Sequence, residues 1–506
     1  MNKMMQKNWI MALALVATLW LSTAPAQGRN FAPTGPTSPG PGSERGNPMD
    51  RLDTDGDGSL SQDEFPGPDD HFLLFDTDGN GFLDSTELPK GPPPRKKMGN
   101  HQAPPADPAT GAQHQDPTTD QSGRYTVVDT GTAAFYNDMY EISEPIPGET
   151  FYGQDASYQG NAPGYTDNGD GTVTDTNTDL MWQKNPGEKK TLDEAESEIS
   201  LFELAGHQDW RLPTIKELYS LILFSGINPD VEDTDTEGLT PFINTLFFDF
   251  SYGDPLAGER IIDSQFMSAT RYVSTTMGGD ETVFGVNFAD GRIKGYPVTM
   301  HGTGKAFYVR YVRGNTEYGK NNFIDNRDGT ISDLATGLMW MKHDSGRFNT
   351  GETGTGAMDW EDALAWTETL EYAEYSDWRL PDAKELQTIV DYTRSPATTR
   401  SAAIDPVFTV TAIIDEGGST NYPYFWSTTT HETIRGGNRA VYFSFGEALG
   451  YMQSPDGTYE LMDVHGAGAQ RSDPKTGDPS DYPQGHGPQG DVIRIYNFAR
   501  CVRSIN

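Results

Sequence analysis

The chain has little cysteine, little positive charge and no long apolar run. Its single cysteine, Cys501, excludes an intrachain disulfide framework and a thiolate-held metal cluster, because both need partner thiols. Only 37 Lys and Arg stand against 74 Asp and Glu, a net charge of −37 that opposes sequence-independent binding to nucleic acid or to an anionic membrane surface. Hydrophobic residues are 35% of the chain, and its 55 Gly and 34 Pro indicate long turns and linkers. The composition therefore predicts globular domains joined by linkers.

The longest apolar run lies at the N-terminus and has the features of an export signal. Lys3 and Lys7 precede the run Trp9–Leu21, and Ala24-Pro25-Ala26 follows it as a cleavage site. The 13-residue run is too short to span a bilayer, which takes about 20 residues. We therefore expect residues 1–26 to be a signal peptide. The mature chain, at −39 after the loss of two lysines, is expected to be secreted or periplasmic in a bacterial cell envelope, without membrane insertion.

Two linkers divide the mature chain. Residues 27–47 are rich in Pro, Gly and Ser, and residues 90–123 are rich in Pro and polar residues. Neither stretch has the apolar residues to form a core. We expect a small domain at 48–89 between them, a first larger domain with its lead-in at 124–314, and a second at 321–506.

The two larger domains are copies of one another. Five sequence blocks occur twice in the same order, which indicates a duplicated domain of about 150 residues. The pairs are 165–182 with 323–340, 209–218 with 377–386, 266–270 with 425–429, 300–304 with 464–468, and 310–313 with 500–503. The second copy has ten extra residues before its DWRLP block and 26 after its His-Gly block. Both insertions are rich in Gly, Asp or Pro, and we expect them to be surface loops.

Residues 53–64 and 76–87 both fit the twelve-residue EF-hand calcium loop. The first offers Asp53, Asp55, Asp57, Ser59, Ser61 and Glu64 at positions 1, 3, 5, 7, 9 and 12. The second offers Asp76, Asp78, Asn80, Phe82, Asp84 and Glu87 at the same positions. Calcium needs six to eight oxygen ligands, with Ser59 and Phe82 giving backbone carbonyls and the last Glu binding through two oxygens. The sequence predicts two Ca²⁺ ions; the alternative is an acidic turn region without metal.

The position-8 residues of the two loops, Leu60 and Leu83, are expected to pair in a short sheet. Pro66 and Pro89 follow the loops closely, and proline cannot continue a helix interior. We therefore expect a small all-α EF-hand pair with short helices. Such a pair suits structural calcium better than signalling, which uses long helices that open a groove.

The repeated blocks have structural interpretations that compete with functional ones. The Asn-Gly-Asp-Gly run at 168–171 and the Asn-Arg-Asp-Gly run at 326–329 are typical of hairpin turns, and Arg327 in the second opposes a cation there. Trp210 and Trp378 suit a core better than a ligand platform. Arg211 and Arg379 most simply pair with local carboxylates.

Catalytic machinery is not evident in the sequence. His301 and His465 lie in matched glycine-flanked turns but lack the further imidazole or thiolate ligands that zinc prefers. The chain has no nucleophile elbow, P-loop or dinucleotide fingerprint. We therefore expect no enzyme activity and name no catalytic residue.

Helix starts are marked in both copies. Thr214 with Glu217, and Asp382 with Glu385, form capping-box pairs directly after R-L-P. Two further starts are Thr191 with Glu194 and Asp359 with Asp362. The sequence predicts two short helices per copy.

Together the blocks resemble the Lcl C-terminal domain family, named after a bacterial collagen-like adhesin. The matching runs are 165–182, 209–218, 268–270 and 310–313 in the first copy and 323–340, 377–386, 426–429 and 500–503 in the second. The resemblance implies an α+β fold with two tandem C-type-lectin-like domains. Met267 in the first copy replaces Trp426 of the second, so the two copies need not bind the same ligand.

The resemblance implies adhesin-like recognition. The family's adhesin implies sulfated polysaccharides as ligands, but a charge of −39 opposes them unless one face segregates Lys and Arg. We therefore expect a neutral glycan or an extracellular protein as partner. The alternatives are a structural spacer in the envelope and an enzyme of the sulfatase-modifying-factor kind, against which the single Cys501 argues.

Overall fold

The computed structural model describes residues 60–61, 82–83 and 123–505, apart from residues 231, 232, 234, 301 and 455. The chain forms two compact units, 1–114 and 115–506. In the first unit, strands β1 (Leu60–Ser61) and β2 (Phe82–Leu83) pair antiparallel. Leu60 lies opposite Leu83 in this register, as position 8 of the two loops predicts. The rest of the predicted small domain at 48–89 lies outside the described residues.

The second unit is mostly β-sheet. Its helices are α1 (Leu192–Ile199), α2 (Ile215–Ser220), α3 (Trp360–Glu368), α4 (Ala383–Thr388) and α5 (Pro396–Thr399). These described helices have four to nine residues each, and α1 and α2 in the first copy and α3 and α4 in the second are the two short helices predicted for each copy. None of the helices in the described part of the chain is long and apolar enough to cross a membrane.

Strands of the lead-in and the first copy are β3 (Phe135–Tyr136), β4 (Glu141–Ile142), β5 (Tyr165–Asp167), β6 (Thr172–Asp175), β7 (Leu180–Gln183), β8 (Gln265–Arg271), β9 (Thr282–Asn287), β10 (Arg292–Pro297), β11 (Thr299–Met300), β12 (Thr303–Gly304) and β13 (Val312–Gly314). Those of the second copy are β14 (Phe323–Asp325), β15 (Thr330–Asp333), β16 (Leu338–Met341), β17 (Ile413–Ile414), β18 (Thr420–Asn421), β19 (Tyr424–Thr430), β20 (Arg439–Ser444), β21 (Leu449–Gln453), β22 (Tyr459–Asp463), β23 (Gln470–Pro474) and β24 (Val502–Ser504).

The predicted helix starts are present. The side chains of Thr191, Thr214 and Asp382 each accept a hydrogen bond from the backbone N–H three residues on, and the glutamate at that position accepts one from the backbone N–H of the cap residue. At α3, Asp359 accepts from the N–H of Asp362. These caps satisfy backbone donors that the first helical turn leaves unpaired, which explains why such short helices form.

Each copy builds the same four-stranded sheet. The orders are β13-β7-β6-β5 and β24-β16-β15-β14. The register also repeats, since Val312 pairs with Trp182 and Val502 with Trp340. The closing strand of each copy therefore docks beside the strand that ends in L-M-W.

A six-stranded sheet joins the two copies. Its order is β19-β20-β23-β10-β9-β8, and β10 of the first copy pairs with β23 of the second at Ile293 and Gln470. All five residues of β23 are buried. The expectation that both insertions are surface loops is therefore wrong for the second one. Its residues 470–474 form β23, which lies between β20 and β10 in the shared sheet. Strands β21 and β22 pair with each other in a separate hairpin.

Helices α2 and α4 lie side by side between the copies. Lys216 Nζ donates to the carbonyl of Thr388 at 2.6 Å, and Lys384 Nζ donates to the carbonyl of Ser220 at 2.9 Å. Each lysine of the repeated K-E-L block thus bonds the last turn of the other copy's helix, where carbonyls lack intrahelical partners. The two copies are therefore coupled by a matched pair of hydrogen bonds, a buried one from Lys384 and a part-buried one from Lys216.

The lead-in contacts the second copy. The N–H of Tyr125 donates to the carbonyl of Ala335 at 2.9 Å, and that of Gly437 donates to the carbonyl of Met139 at 3.0 Å. Asp155 is buried and accepts from Thr429 Oγ1 at 2.5 Å. The lead-in, which is the chain segment before the first copy, is thereby held against the second copy.

Candidate functional site

Most of the predicted calcium ligands lie outside the described residues: Asp53, Asp55, Asp57, Ser59, Glu64, Asp76, Asp78, Asn80, Asp84 and Glu87. The two that are described, Ser61 and Phe82, are paired across β1 and β2. Among the described residues, no three His, Cys, Asp or Glu side chains are grouped to hold a metal ion.

The repeated arginines pair within their own copies. Arg211 forms a two-pronged ion pair with Glu217, and Arg379 forms the same pair with Glu385 at 2.6 Å. This confirms the expected local carboxylate partner, which is also the helix-capping residue. The last arginine of each closing block, Arg313 or Arg503, binds the Asp of its D-W-R-L-P block.

The first arginine of each closing block is buried completely. Arg500 donates to the carbonyls of Met341, Lys342 and Thr409 at 2.7–2.8 Å. Arg310 makes the equivalent bonds to Gln183, Lys184 and Asp249. Burial lowers the pKa of Arg310 to about 9 and that of Arg500 to about 10. Both guanidinium groups tie three chain segments together and leave no surface for a ligand.

The remaining repeated residues also have packing or turn roles. Trp210 and Trp378 are buried, as predicted. In the Asp-Asn turns, Asp167 forms an ion pair with Lys184 and Asp325 forms one with Lys342. These carboxylates therefore stabilise the turns. Burial raises the pKa of the Cys501 thiol, which is consistent with an inert side chain. His465 is buried and contacts Asp491, and His301 lies outside the described residues.

The two insertions of the second copy converge on a cavity of about 800 Å³, which we call the aromatic cavity. Gly346, Gly354 and Thr355 come from the first insertion. The second insertion contributes ten lining residues, which are Pro479, Ser480, Tyr482, Pro483, Val492, Ile493, Arg494, Tyr496, Asn497 and Phe498. Tyr424, Tyr451, Tyr482 and Tyr496 line it as well. Residues that distinguish the two copies therefore contribute much of the lining of this cavity.

An arginine stack forms one wall of the aromatic cavity. The Arg494 guanidinium lies 3.9 Å from the centre of the Tyr424 ring, and Tyr424 stacks on Tyr442 with ring centres 4.4 Å apart. Arg494 also donates to Glu416 through Nε at 2.8 Å and Nη2 at 3.1 Å. Its Nη1 is buried without a hydrogen-bond partner among the described residues. The Arg494 guanidinium is thus held in place by Glu416 and Tyr424, and one of its N–H groups is not used in a hydrogen bond within the described residues.

The loop that carries Arg494 is held in a strained conformation. Ile495 has a φ of 63°, which is unusual for a β-branched residue. Asp473 Oδ2 accepts the N–H groups of Arg494 and Ile495 and the side-chain amide of Asn497, and so fixes the loop. Asn497 lines the cavity and its Oδ1 is buried without a described partner. Strain of this kind concentrates at ligand-binding sites.

The cavity's chemistry suits binding. Burial opposes ionisation of Glu416, but its bonds from Arg494 lower the pKa, so this carboxylate stays charged. A carboxylate held by an arginine is a poor proton donor at neutral pH. Tyrosine rings, an amide oxygen and an arginine donor match a ligand that has flat apolar faces and hydroxyl groups.

The first copy lacks this cavity wall. Gln265 stands at the position of Tyr424, and the short link from residue 301 to Arg313 has no counterpart of Arg494. Trp426 is fully buried and donates to the carbonyl of Met358, so its exchange for Met267 is a change of core packing. The one signal in the sequence that points to Arg494 and Tyr496 is their place in an insertion that the first copy lacks.

Comparison with known proteins gives one match. The family model of the Lcl C-terminal domain matches residues 171–313 and 329–462. Neither the curated proteins nor the solved structures contain a match to the chain.

Proposed function

The chain belongs to the Lcl C-terminal domain family, of which it carries two copies, and on this premise we propose that it is an exported, calcium-binding recognition protein. In this proposal the second copy binds a neutral glycan or an extracellular protein, the small domain at 48–89 holds two Ca²⁺ ions, and each copy has a C-type-lectin-like fold. The mature protein acts in the periplasm or outside the cell and is not an enzyme.

The aromatic cavity carries the proposal of recognition. Its volume of about 800 Å³ lies in the range of small-ligand sites, and its tyrosines and fixed arginine combine stacking faces with hydrogen-bonding groups. Sugar rings present C–H groups on their faces and hydroxyls at their edges, so they match both features. The lectin-like fold is supported by the short capped helices α2 and α4 packed against antiparallel strands.

Binding is tested with the full mature chain on an array of neutral glycans and matrix proteins. Tyr496, which is 40% exposed and lines the cavity, is replaced in Tyr496→Ala. Tyr140, which is 68% exposed and lies outside the cavity, is replaced in the matched control Tyr140→Ala. We expect Tyr496→Ala to weaken binding about tenfold, as the loss of a central aromatic contact does, and the control to bind normally. Absence of any binding would favour the structural spacer instead.

Calcium binding is supported by the two loop patterns and by the pairing of Leu60 with Leu83. Calorimetric titration of the mature chain should detect two sites. Glu64→Gln and Glu87→Gln should each remove one, because the twelfth residue supplies two of the oxygen ligands. Glu144→Gln, outside the loops, serves as the control. Failure to bind calcium at millimolar concentration contradicts this part of the proposal alone.

A further inference from the structure

A second cavity, which we call the seam cavity, lies between the two copies and is lined by cations. Its volume is about 580 Å³, and seven of the chain's 37 Lys and Arg residues line it. The first copy contributes Arg260, Arg292, Lys294 and Lys305, and the second contributes Arg435, Arg439 and Arg471. Only two carboxylates line it, those of Asp230 and Asp290. This concentration of positive charge is opposite to the net charge of −37 of the chain.

The carboxylates near the seam cavity do not balance these cations. Asp290 binds Lys294, Asp230 binds Arg435, and two acids outside the lining, Asp263 and Asp491, bind Arg260 and Arg471. Among the described residues, seven basic side chains line the cavity and four carboxylates pair with them, so basic groups outnumber acidic ones. Arg439 and Lys305 take part in none of the ion pairs found among the described residues, although Asp473 and Asp263 lie near enough to act on them electrostatically. Low-dielectric walls of one charge sign concentrate an oppositely charged ligand.

The same cavity has buried donors without partners. Arg292 Nε, Arg471 Nε and Nη1, and the Tyr296 hydroxyl are buried and have no hydrogen-bond partner among the described residues. One carboxylate oxygen, Asp290 Oδ1, is likewise buried without a hydrogen-bond partner among the described residues. An unpaired buried donor is costly, and oxyanions accept several hydrogen bonds from guanidinium groups at once. The donor set therefore favours an anionic ligand.

The lowered pKa of Lys294 is consistent with an anionic ligand in the seam cavity. The Lys294 ammonium is buried among Asp290, Arg292 and Arg471, and its burial lowers the pKa to about 7, although Asp290 acts in the other direction. A second anion beside it would stabilise the charged form. Occupation of the cavity is thus coupled to protonation near neutral pH.

We propose that the seam cavity binds a small oxyanion, a molecule that carries a phosphate group or several carboxylates, held by both copies at once. Apart from Tyr482, which lines both cavities, its lining residues differ from those of the aromatic cavity, and so does its charge, so this proposal does not depend on the proposed function. Its volume of about 580 Å³ lies in the range of small-molecule sites.

The test is calorimetric titration of the full mature chain, in metal-free buffer, with inorganic phosphate, with citrate and with chloride as the control. Lys305→Gln and Arg439→Gln each remove one cation that has no carboxylate partner. Lys320→Gln is the matched control, since this lysine is 63% exposed and lies outside the seam cavity. We expect phosphate or citrate to bind, about tenfold more weakly in both cavity variants and unchanged in the control. Which of the two binds distinguishes a phosphate ligand from a polycarboxylate.

A second readout separates binding at the cavity from general attraction. The heat measured near pH 7 in buffers of different ionisation enthalpy should show proton uptake on binding, because the anion raises the pKa of Lys294. The proposal is overturned if neither small oxyanion binds, if the cavity variants bind as well as Lys320→Gln, or if only a long sulfated oligosaccharide binds.

Discussion

The buried lysine that links the second copy to the first should make stability depend on pH. Lys384 is 4% exposed, and its Nζ donates to the carbonyls of Asp129 and Ser220 at 2.9 Å each. Burial lowers its pKa from 10.5 to about 8, although Asp382 and Asp175 act against the shift. At neutral pH the folded protein therefore holds an ammonium group in an environment that disfavours the charge.

The shift fixes both sign and size of the effect. Between about pH 8 and 10.5 the unfolded chain binds more protons at this site than the folded protein, so the free energy of unfolding rises with pH in that window. A fall of the pKa from 10.5 to about 8 corresponds to a cost of about 3 kcal/mol at pH 7, because each pH unit is worth about 1.36 kcal/mol. Near pH 9.5 most of that cost is gone, because the folded protein has lost the proton. The free energy of unfolding of the wild type should therefore rise by about 2 kcal/mol between about pH 7 and pH 9.5 from this site.

Urea unfolding of the mature wild type and of Lys384→Met, at about pH 7 and pH 9.5, measures this. Methionine does not titrate, so the difference between the two proteins isolates Lys384 from every other group. Lys320→Met, at an exposed lysine, should show no such change. If the free-energy difference between wild type and Lys384→Met is the same at both pH values, Lys384 is not desolvated and the buried link between the copies is wrong.

Two further outcomes follow from the buried polar groups. Arg500→Met should lower the free energy of unfolding by about 3 kcal/mol or more, because three buried carbonyls lose a charged donor, and a thermal melt unchanged from wild type would refute the packing role. Asp155 is buried, and burial raises its pKa to about 7, so the folded protein binds more protons there than the unfolded chain between about pH 4 and 7. The contribution of this site to stability should therefore fall as pH rises through that window. Urea unfolding at about pH 5 and 7 should show a smaller decrease in the free energy of unfolding for Asp155→Asn than for the wild type. Equal decreases in the two proteins would contradict the raised pKa of Asp155.

Much of each copy was predictable because its signals are local. The capping pairs at Thr214 and Asp382 act within one helical turn and mark the helices correctly. The ion pair of Arg211 with Glu217 spans six residues, and the Asp-Asn turns satisfy their own backbone. The calcium loops of residues 53–64 and 76–87 stay predictions, since most of their ligands lie outside the described residues.

The sequence by itself determined the duplication, the helix starts, the turn positions and the family of the chain, because these depend on neighbouring residues and on internal repetition. Only the tertiary structure decided that β23, within an insertion, would complete a sheet shared by both copies. It also decided that Arg494 would stack on Tyr424, 70 residues away, and that seven cations from both copies would line one cavity. Such contacts join segments far apart in the chain through hydrogen-bond geometry and burial, which leave no periodic or spacing pattern in the sequence.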